Sequence, residues 1–242
     1  MYALLIAQNT DERAVLSLVL QRAGVAVTTG NELERAMRSW LERPADLILL
    51  ALGGSPTGDP AGGPVGGPAD NPVASVGRIR AETEVPVVVV VDETREELHY
   101  NLLQSGADLV ISRPFSARLL IAQVRALLRR AGNVPLSSLP TLSLAGLTLD
   151  PAARTVQVSS QAPRRLTHLE FRLLYTLMTH HGQTLSPELI VERVWGYTGQ
   201  GDKELVRGLV SRLRAKVEPE PRVPHYIITV PGVGYAFDPD EA

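Results

Sequence analysis

Five consecutive valines, Val87–Val91, make an apolar run with no polar alternation, the pattern of a strand buried on both faces. Four more short apolar runs share the N-terminal half: Ala3–Ala7, a weaker Val25–Thr28, Leu47–Leu52 and Leu109–Ser112. The intervening segments carry helix-start chemistry. Asn9 precedes Glu12, Asn31 precedes Glu34 and Thr94 precedes Glu97, each a capping side chain three residues ahead of a glutamate. Helical stripes follow in Val15, Leu18 and Val19 and in Leu120, Val124 and Leu127. Five strands alternating with helices predict an α/β doubly wound, parallel five-stranded sheet, with its ligand crevice at the carboxyl ends of the strands.

One stretch interrupts this pattern. Residues 53–72, GGSPTGDPAGGPVGGPADNP, hold seven Gly and five Pro in twenty positions, too few apolar groups to bury a core, and read as a flexible insert. The first domain is expected to span residues 1–131 and a Gly/Pro-marked linker residues 132–140. A second domain is expected over 141–242. There Leu144–Leu149 and Thr155–Val158 flank a turn at Asp150-Pro151-Ala152-Ala153. Three helices follow, opened by Thr167 with Glu170, by Ser186 with Pro187, and by Asp202. His225–Val230 and Tyr235–Phe237 close the domain around Pro231-Gly232-Val233-Gly234. Short strands, three helices and a terminal hairpin describe an α+β winged helix-turn-helix.

Composition narrows the function. The 242 residues contain no Cys, which excludes thiol nucleophiles, thiolate metal sites and disulfides. The five histidines lack partners at metal-ligand spacing, so neither metal nor cofactor is expected. Phosphate-loop, nucleophile-elbow, HExxH and paired-carboxylate patterns are absent, and no enzyme is read. The start, MYALLIAQNTDER, has too short an apolar stretch for a secretory or spanning segment, so a cytoplasmic protein without a membrane role is expected. Net charge is −2, so any nucleic-acid binding must be local.

A local site is legible near the C-terminus. On a helix, residues 202–218 align Val206, Val210, Leu213 and Val217 as a buried stripe and place Glu204, Gly208, Ser211, Arg212 and Ala215 opposite. Lys203, Arg207 and Arg214 flank one edge, with Arg212 and Lys216 toward the other. A slim centre with cationic margins suits a helix lying in the major groove, its margins on phosphates and one or two side chains at base edges.

The segments THLEFRLLYTLMTHHGQTLSPELIVERVWGY, ELVRGLVSRLRAKVEPE and YIITVPGVGYAF resemble the OmpR/PhoB-type DNA-binding domain over about residues 141–238. By that resemblance Arg212 reads bases, Ser211 and Arg214 lie at or near the DNA backbone, and Trp195 and Thr229 touch phosphates. Gly208, Arg207, Lys203 and Tyr235 complete the surface, although Trp195 and Tyr235 equally suit a core. The Trp195–Asp202 loop would face RNA polymerase. Pro231 and Ala236 stand where relatives often carry Arg, so the resemblance implies weak minor-groove reading by the wing.

Residues 2–130, with GADLVISRPF at the fifth strand, are similar to a response-regulator receiver. The resemblance implies an acidic pair, an Asp acceptor, a hydroxyl and a Lys at the phosphorylation site, which together hold Mg²⁺ and an acyl phosphate. This chain has Gln8 and Asn9, Ala51, Val91 and Arg113 there instead. It reads as an atypical, phosphorylation-independent receiver, with Arg113–Pro114 as a candidate cis bond. The family's dimer face maps to Tyr100, Asp108, Leu109, Arg118, Leu119 and Gln123, where leucines replace charges and favour a constitutive homodimer. The leading reading is thus a sequence-specific regulator that binds double-stranded DNA as a homodimer. Two alternatives stay open: a receiver scaffold docking a partner or ligand, with residual DNA binding, and a receiver using an unorthodox phosphate acceptor.

Overall fold

The computed structural model describes residues 1–42, 44–52, 71–92, 96–132, 139–197 and 203–238. The chain divides into two compact units, Met1–Leu128 and Arg129–Ala242. Among the described residues no helix is long and apolar enough to cross a membrane.

The first unit is built from β1 (Tyr2–Ala7), α1 (Thr10–Arg22), β2 (Ala26–Gly30), α2 (Leu33–Glu42), β3 (Leu47–Ala51), α3 (Pro72–Glu82), β4 (Val87–Val91), α4 (Glu96–Ser105), β5 (Leu109–Ser112) and α5 (Ala117–Gly132). The strands pair in parallel in the order β2-β1-β3-β4-β5. β3 and β4 are buried along their whole length, as unbroken apolar runs require when helices cover both faces. Asn9 caps α1 through its side chain, which accepts the Glu12 N–H at 3.0 Å. The Arg113–Pro114 bond is cis.

Four expectations change. On α1 it is Leu16, Val19 and Leu20 that are buried, while Val15 and Leu18 are more than half exposed, so the inward stripe is rotated by about one position. α2 begins at Leu33, which moves Asn31 away from the capping position. Asn71 and Pro72, at the end of the expected insert, instead open α3: the Asn71 side chain accepts N–H groups from Val73 and Ala74, and Pro72 takes the first helical position. Residues 53–70 of the insert, and Thr94, lie outside the described residues. Asp108 and Leu109 are 2% and 3% exposed, and Asp108 accepts from Arg80 and from the Val87 N–H, so the sheet consumes both rather than a dimer face. Of the other residues mapped to that face, Arg118 and Leu119 are exposed, and Tyr100 and Gln123 are half-buried.

The second unit opens with an antiparallel sheet, β6 (Leu142–Leu144), β7 (Leu147–Asp150), β8 (Thr155–Val158) and β9 (Arg164–Arg165). Leu144–Leu149 is therefore two strands. Ala145 and Gly146 both adopt positive φ, and that turn reverses the chain where a continuous strand was expected. The Asp150 side chain accepts from the Ala152 and Ala153 N–H groups and closes the next turn. Helices α6 (His168–Thr179), α7 (Pro187–Val194) and α8 (Lys203–Val217) follow. Thr167 and Glu170 form a complete capping box, and Ser186 caps α7 with Pro187 first in the helix.

The hairpin β10 (Ile227–Val230) and β11 (Gly234–Phe237) completes the unit. β11 is held against the α6–α7 connection, because Leu185 and Tyr235 exchange backbone hydrogen bonds at 2.8 and 3.0 Å. This close approach explains Gly234, where a Cβ would overlap the Leu185 carbonyl oxygen. Gly234→Ala is expected to cost roughly 2 kcal/mol by forcing the hairpin outward. A thermal melt should show a Tm lowered by ~10 °C.

Candidate nucleic-acid interface and the receiver site

The roll of α8 about its own axis follows from a carboxylate beneath it. Glu170 is 2% exposed; it accepts the Thr167 N–H at 2.9 Å and the Lys216 ammonium at 2.7 Å. Burial by itself would raise its pKa. The charges of Lys216 and Arg212 and the hydrogen bonds from Lys216 and Thr167 outweigh burial and hold the carboxyl below its ordinary 4.5. Arg212 and Lys216, four residues apart, thus lie on the edge of α8 that faces Glu170. Leu205, Val206, Leu209, Val210, Leu213 and Val217 pack inward.

The outward strip is Lys203, Arg207, Ser211 and Ala215, one residue per turn, with Ser211 half-buried and the others exposed. Gly208 is buried, so it does not form the slim outer centre expected from the sequence. Its neighbours one turn away on either side, Glu204 and Arg212, are both only partly exposed, and a glycine between two long side chains has no atoms of its own to reach solvent.

Arg214 ties the helix to the hairpin. Its Nε donates to the Ile227 carbonyl at 3.0 Å and an Nη to the Thr229 hydroxyl at 2.8 Å. Burial lowers its pKa, opposed by the charges of Glu218 and Tyr235. Glu218, just past the end of α8 and 5% exposed, accepts N–H groups from His225, Tyr226 and Ile227 and so anchors the first hairpin strand. Tyr235 is pushed to a raised pKa by burial, with Arg214 and Arg207 opposing and Glu204 adding to the rise. Between the first turns of α8 and the hairpin lies a groove of about 270 Å³, lined by Lys203 and Arg207, by the carboxylates Glu188 and Glu204, and by Thr229, Gly232 and Tyr235. A cationic strip beside such a groove presents donors to an anionic backbone.

Trp195, 1% exposed, and Ala236, 5% exposed, are core residues rather than surface ones. The indole follows the last residue of α7, where the Trp195 N–H closes the helix on the Val191 carbonyl. Most of the Trp195–Asp202 loop lies outside the described residues.

In the first unit, Ala51 and Val91 end adjacent strands at 1% and 3% exposure. Above them Arg113 spans the sheet edge. Its Nε donates to Glu12 at 2.6 Å, and its Nη1 donates to the Leu52 carbonyl and to Asp92, both at 3.0 Å. One guanidinium thereby joins α1, the end of β3, the end of β4 and the end of β5, with two carboxylates balancing its charge. Asp46, at the opposite end of its strand, accepts the Tyr2 N–H. Among the described residues no three His, Cys, Asp or Glu side chains gather as a metal site would require.

A family model described as "Transcriptional regulatory protein, C terminal" matches residues 161–237. The transcriptional regulatory protein AfsQ1 of Streptomyces coelicolor is 34% identical over 242 residues, covering 100% of both chains. The chain belongs to the OmpR/PhoB-type response regulators. The DNA-binding dual master transcriptional regulator RpaA of Synechocystis is 38% identical over 157 residues, covering 64% of this chain and 65% of that protein. A solved structure of a RitR mutant, in which a cysteine is replaced by serine, is 26% identical with a TM-score of 0.72, covering 98% of this chain and 99% of that one. AfsQ1 and RpaA are both described as transcriptional regulators.

Within this response regulator the fold brings Lys203, Arg207, Ser211, Arg214, Thr229 and Tyr235 around one surface, and it places Gly208 and Trp195 inside. Four acidic residues carry geometry beyond the capping role that the sequence assigns to Glu12 and Glu170. Glu170 is legible only as a cap. Glu218 follows the helix and Asp92 follows the valine run, so both stand at a strand or helix end where a carboxylate finds backbone N–H groups or a cation. Glu12 sits one turn into α1, level with the strand ends.

Glu170→Gln should lower stability by about 2 kcal/mol at pH 7, because Lys216 and Arg212 lose their counter-charge. The folded-state pKa of Glu170 is depressed, so its contribution is present above the unfolded value and lost as pH falls through the folded one. Urea melts should therefore find the gap between wild type and Glu170→Gln closing as pH is lowered below 4.5.

Proposed function

We propose that this chain is a sequence-specific regulator of transcription that binds double-stranded DNA as a homodimer and does so without phosphorylation. The observation that carries the DNA reading is the outward Lys203–Arg207–Ser211 strip on α8 beside the groove and hairpin. In this reading α8 lies in the major groove. Lys203, Arg207, Arg214 and Thr229 contact phosphates, Ser211 sits close to the backbone, and Arg212 reaches base edges by swinging out from beside Glu170, a rotamer change of the kind common on binding. Trp195 and Tyr235 support this surface from within, the Trp195–Asp202 loop meets RNA polymerase, and the protein works in the cytoplasm. Domains spanning 1–131 and 141–242 with a linker at 132–140 belong to the same proposal.

Independence from phosphorylation is supported by the Arg113 network. A methyl group at Ala51 cannot accept a phosphoryl group, and the guanidinium that spans the strand ends is already balanced by Glu12 and Asp92. Dimerisation is supported by Leu119, which is 56% exposed on α5 next to the exposed Arg118.

Three measurements test this. Arg212→Ala should weaken binding to a selected duplex by about 1–3 kcal/mol and relax selectivity at one base pair, whereas Arg207→Ala should weaken all sequences alike and reduce the salt slope by about 1. A uniform loss for Arg212→Ala moves that residue to the backbone contacts. Acetyl phosphate with Mg²⁺ should leave mass and DNA affinity unchanged; a stoichiometric phosphoryl adduct defeats phosphorylation independence. Sedimentation of the full chain should find a dimer that Leu119→Glu converts to monomer, and a wild-type monomer at tens of micromolar would remove the homodimer.

A further inference from the structure

A cleft of about 310 Å³ opens beside Leu4, Arg13, Thr28, Gly30, Asn31 and Arg35, at the carboxyl ends of β1 and β2. The strand order β2-β1-β3 puts this cleft on the β2 side of β1. Arg13 comes from the first turn of α1 and Arg35 from the first turn of α2, so two helices turn guanidinium groups toward one opening. Among the described residues neither guanidinium makes an ion pair with a carboxylate. Arg13 donates to the Ala7 carbonyl at 2.8 Å and the Thr10 hydroxyl at 3.3 Å, both neutral acceptors. Arg35 has no carboxylate partner among the described residues. The lining holds no acidic side chain, and two glutamates of the same helices are engaged elsewhere, Glu34 with Arg78 and Glu12 with Arg113.

The charge of this lining is one-sided. Guanidinium groups donate and never accept, and Thr28, Thr29 and Asn31 add hydroxyl and amide groups that can also donate. A cation finds no counter-charge here, and an apolar molecule would leave these donors unpaired. A compact oxyanion with several acceptor oxygens satisfies them, and Arg favours such groups through paired donors. The volume stands at the lower end of the range for small-molecule sites, about 300–1,000 Å³. We propose that the cleft binds a small phosphate monoester, holding its phosphate through Arg13 and Arg35. This site is distinct from the strand-end position closed by Arg113, and the inference does not rest on the DNA-binding reading.

The test is calorimetric titration of the full chain with glycerol 3-phosphate and with inorganic phosphate, at constant ionic strength, with glycerol and succinate in parallel. The expected result is saturable one-to-one binding of glycerol 3-phosphate, no binding of glycerol, and affinity about tenfold lower in Arg35→Gln. The Tm of Arg35→Gln without ligand should match wild type, because the exposed Arg35 holds no partner that folding depends on. Equal affinity in wild type and Arg35→Gln overturns the site, as does no saturable binding of either phosphate probe. Tighter binding of succinate than of glycerol 3-phosphate overturns the phosphomonoester class. DNA is absent from the assay, so failure here leaves the regulator reading standing.

Discussion

The buried carboxylate of Glu170 decides what the second unit shows to its surroundings. It sits at the start of α6, already committed to the Thr167 N–H, and it draws Lys216 and the charge of Arg212 to one edge of α8. A buried carboxylate must be paired, so the helix cannot roll without stranding it. The roll then dictates that Lys203, Arg207 and Ser211 form the outward strip and that Gly208 turns away from it. At the other end of α8, Glu218 gathers three N–H groups from the start of the hairpin. Arg214 adds bonds to Ile227 and Thr229. Helix and hairpin are thereby joined at both flanks, and the groove between them is bounded by elements that cannot drift apart without breaking charge-assisted bonds.

The first unit solves a related problem with the opposite charge. Strand ends in a parallel sheet collect polar loops above an apolar floor, and here that floor is Ala51 and Val91. Arg113 fills the position above it and is satisfied on three sides, by Glu12, Asp92 and the Leu52 carbonyl. One guanidinium thus ties together α1 and the ends of three strands. Arg13 and Arg35 line a separate cleft beside β2.

Much of this is legible in the residues. The five apolar runs set the parallel sheet, the capping chemistry at Asn9, Thr167 and Ser186 marks true helix starts, and the stripe of Leu120, Val124 and Leu127 is buried as its spacing demands. Inferences of facing fail. Val15 and Leu18 match a helical period but point outward, because a stripe one position over, Leu16 with Val19 and Leu20, packs on the sheet. The helical wheel puts Gly208 on the outer face and the structure buries it, while Trp195, open in the sequence between a phosphate contact and the core, is buried. Asp108 maps to an interface by resemblance and instead closes on Arg80 and Val87.

Apolar periodicity and capping are local, and they determined by themselves most of the elements and the two-part division, because each depends on residues within one turn or one strand. The identity of Ala51 is equally local, since a methyl group accepts no phosphoryl group in any fold. The partners of charges are different. Glu170 meets Lys216 across 46 residues and Arg113 meets Glu12 across 101, and a pairing over such separation exists only once the chain has closed. Tertiary structure alone therefore decided which cations face outward and which are consumed internally.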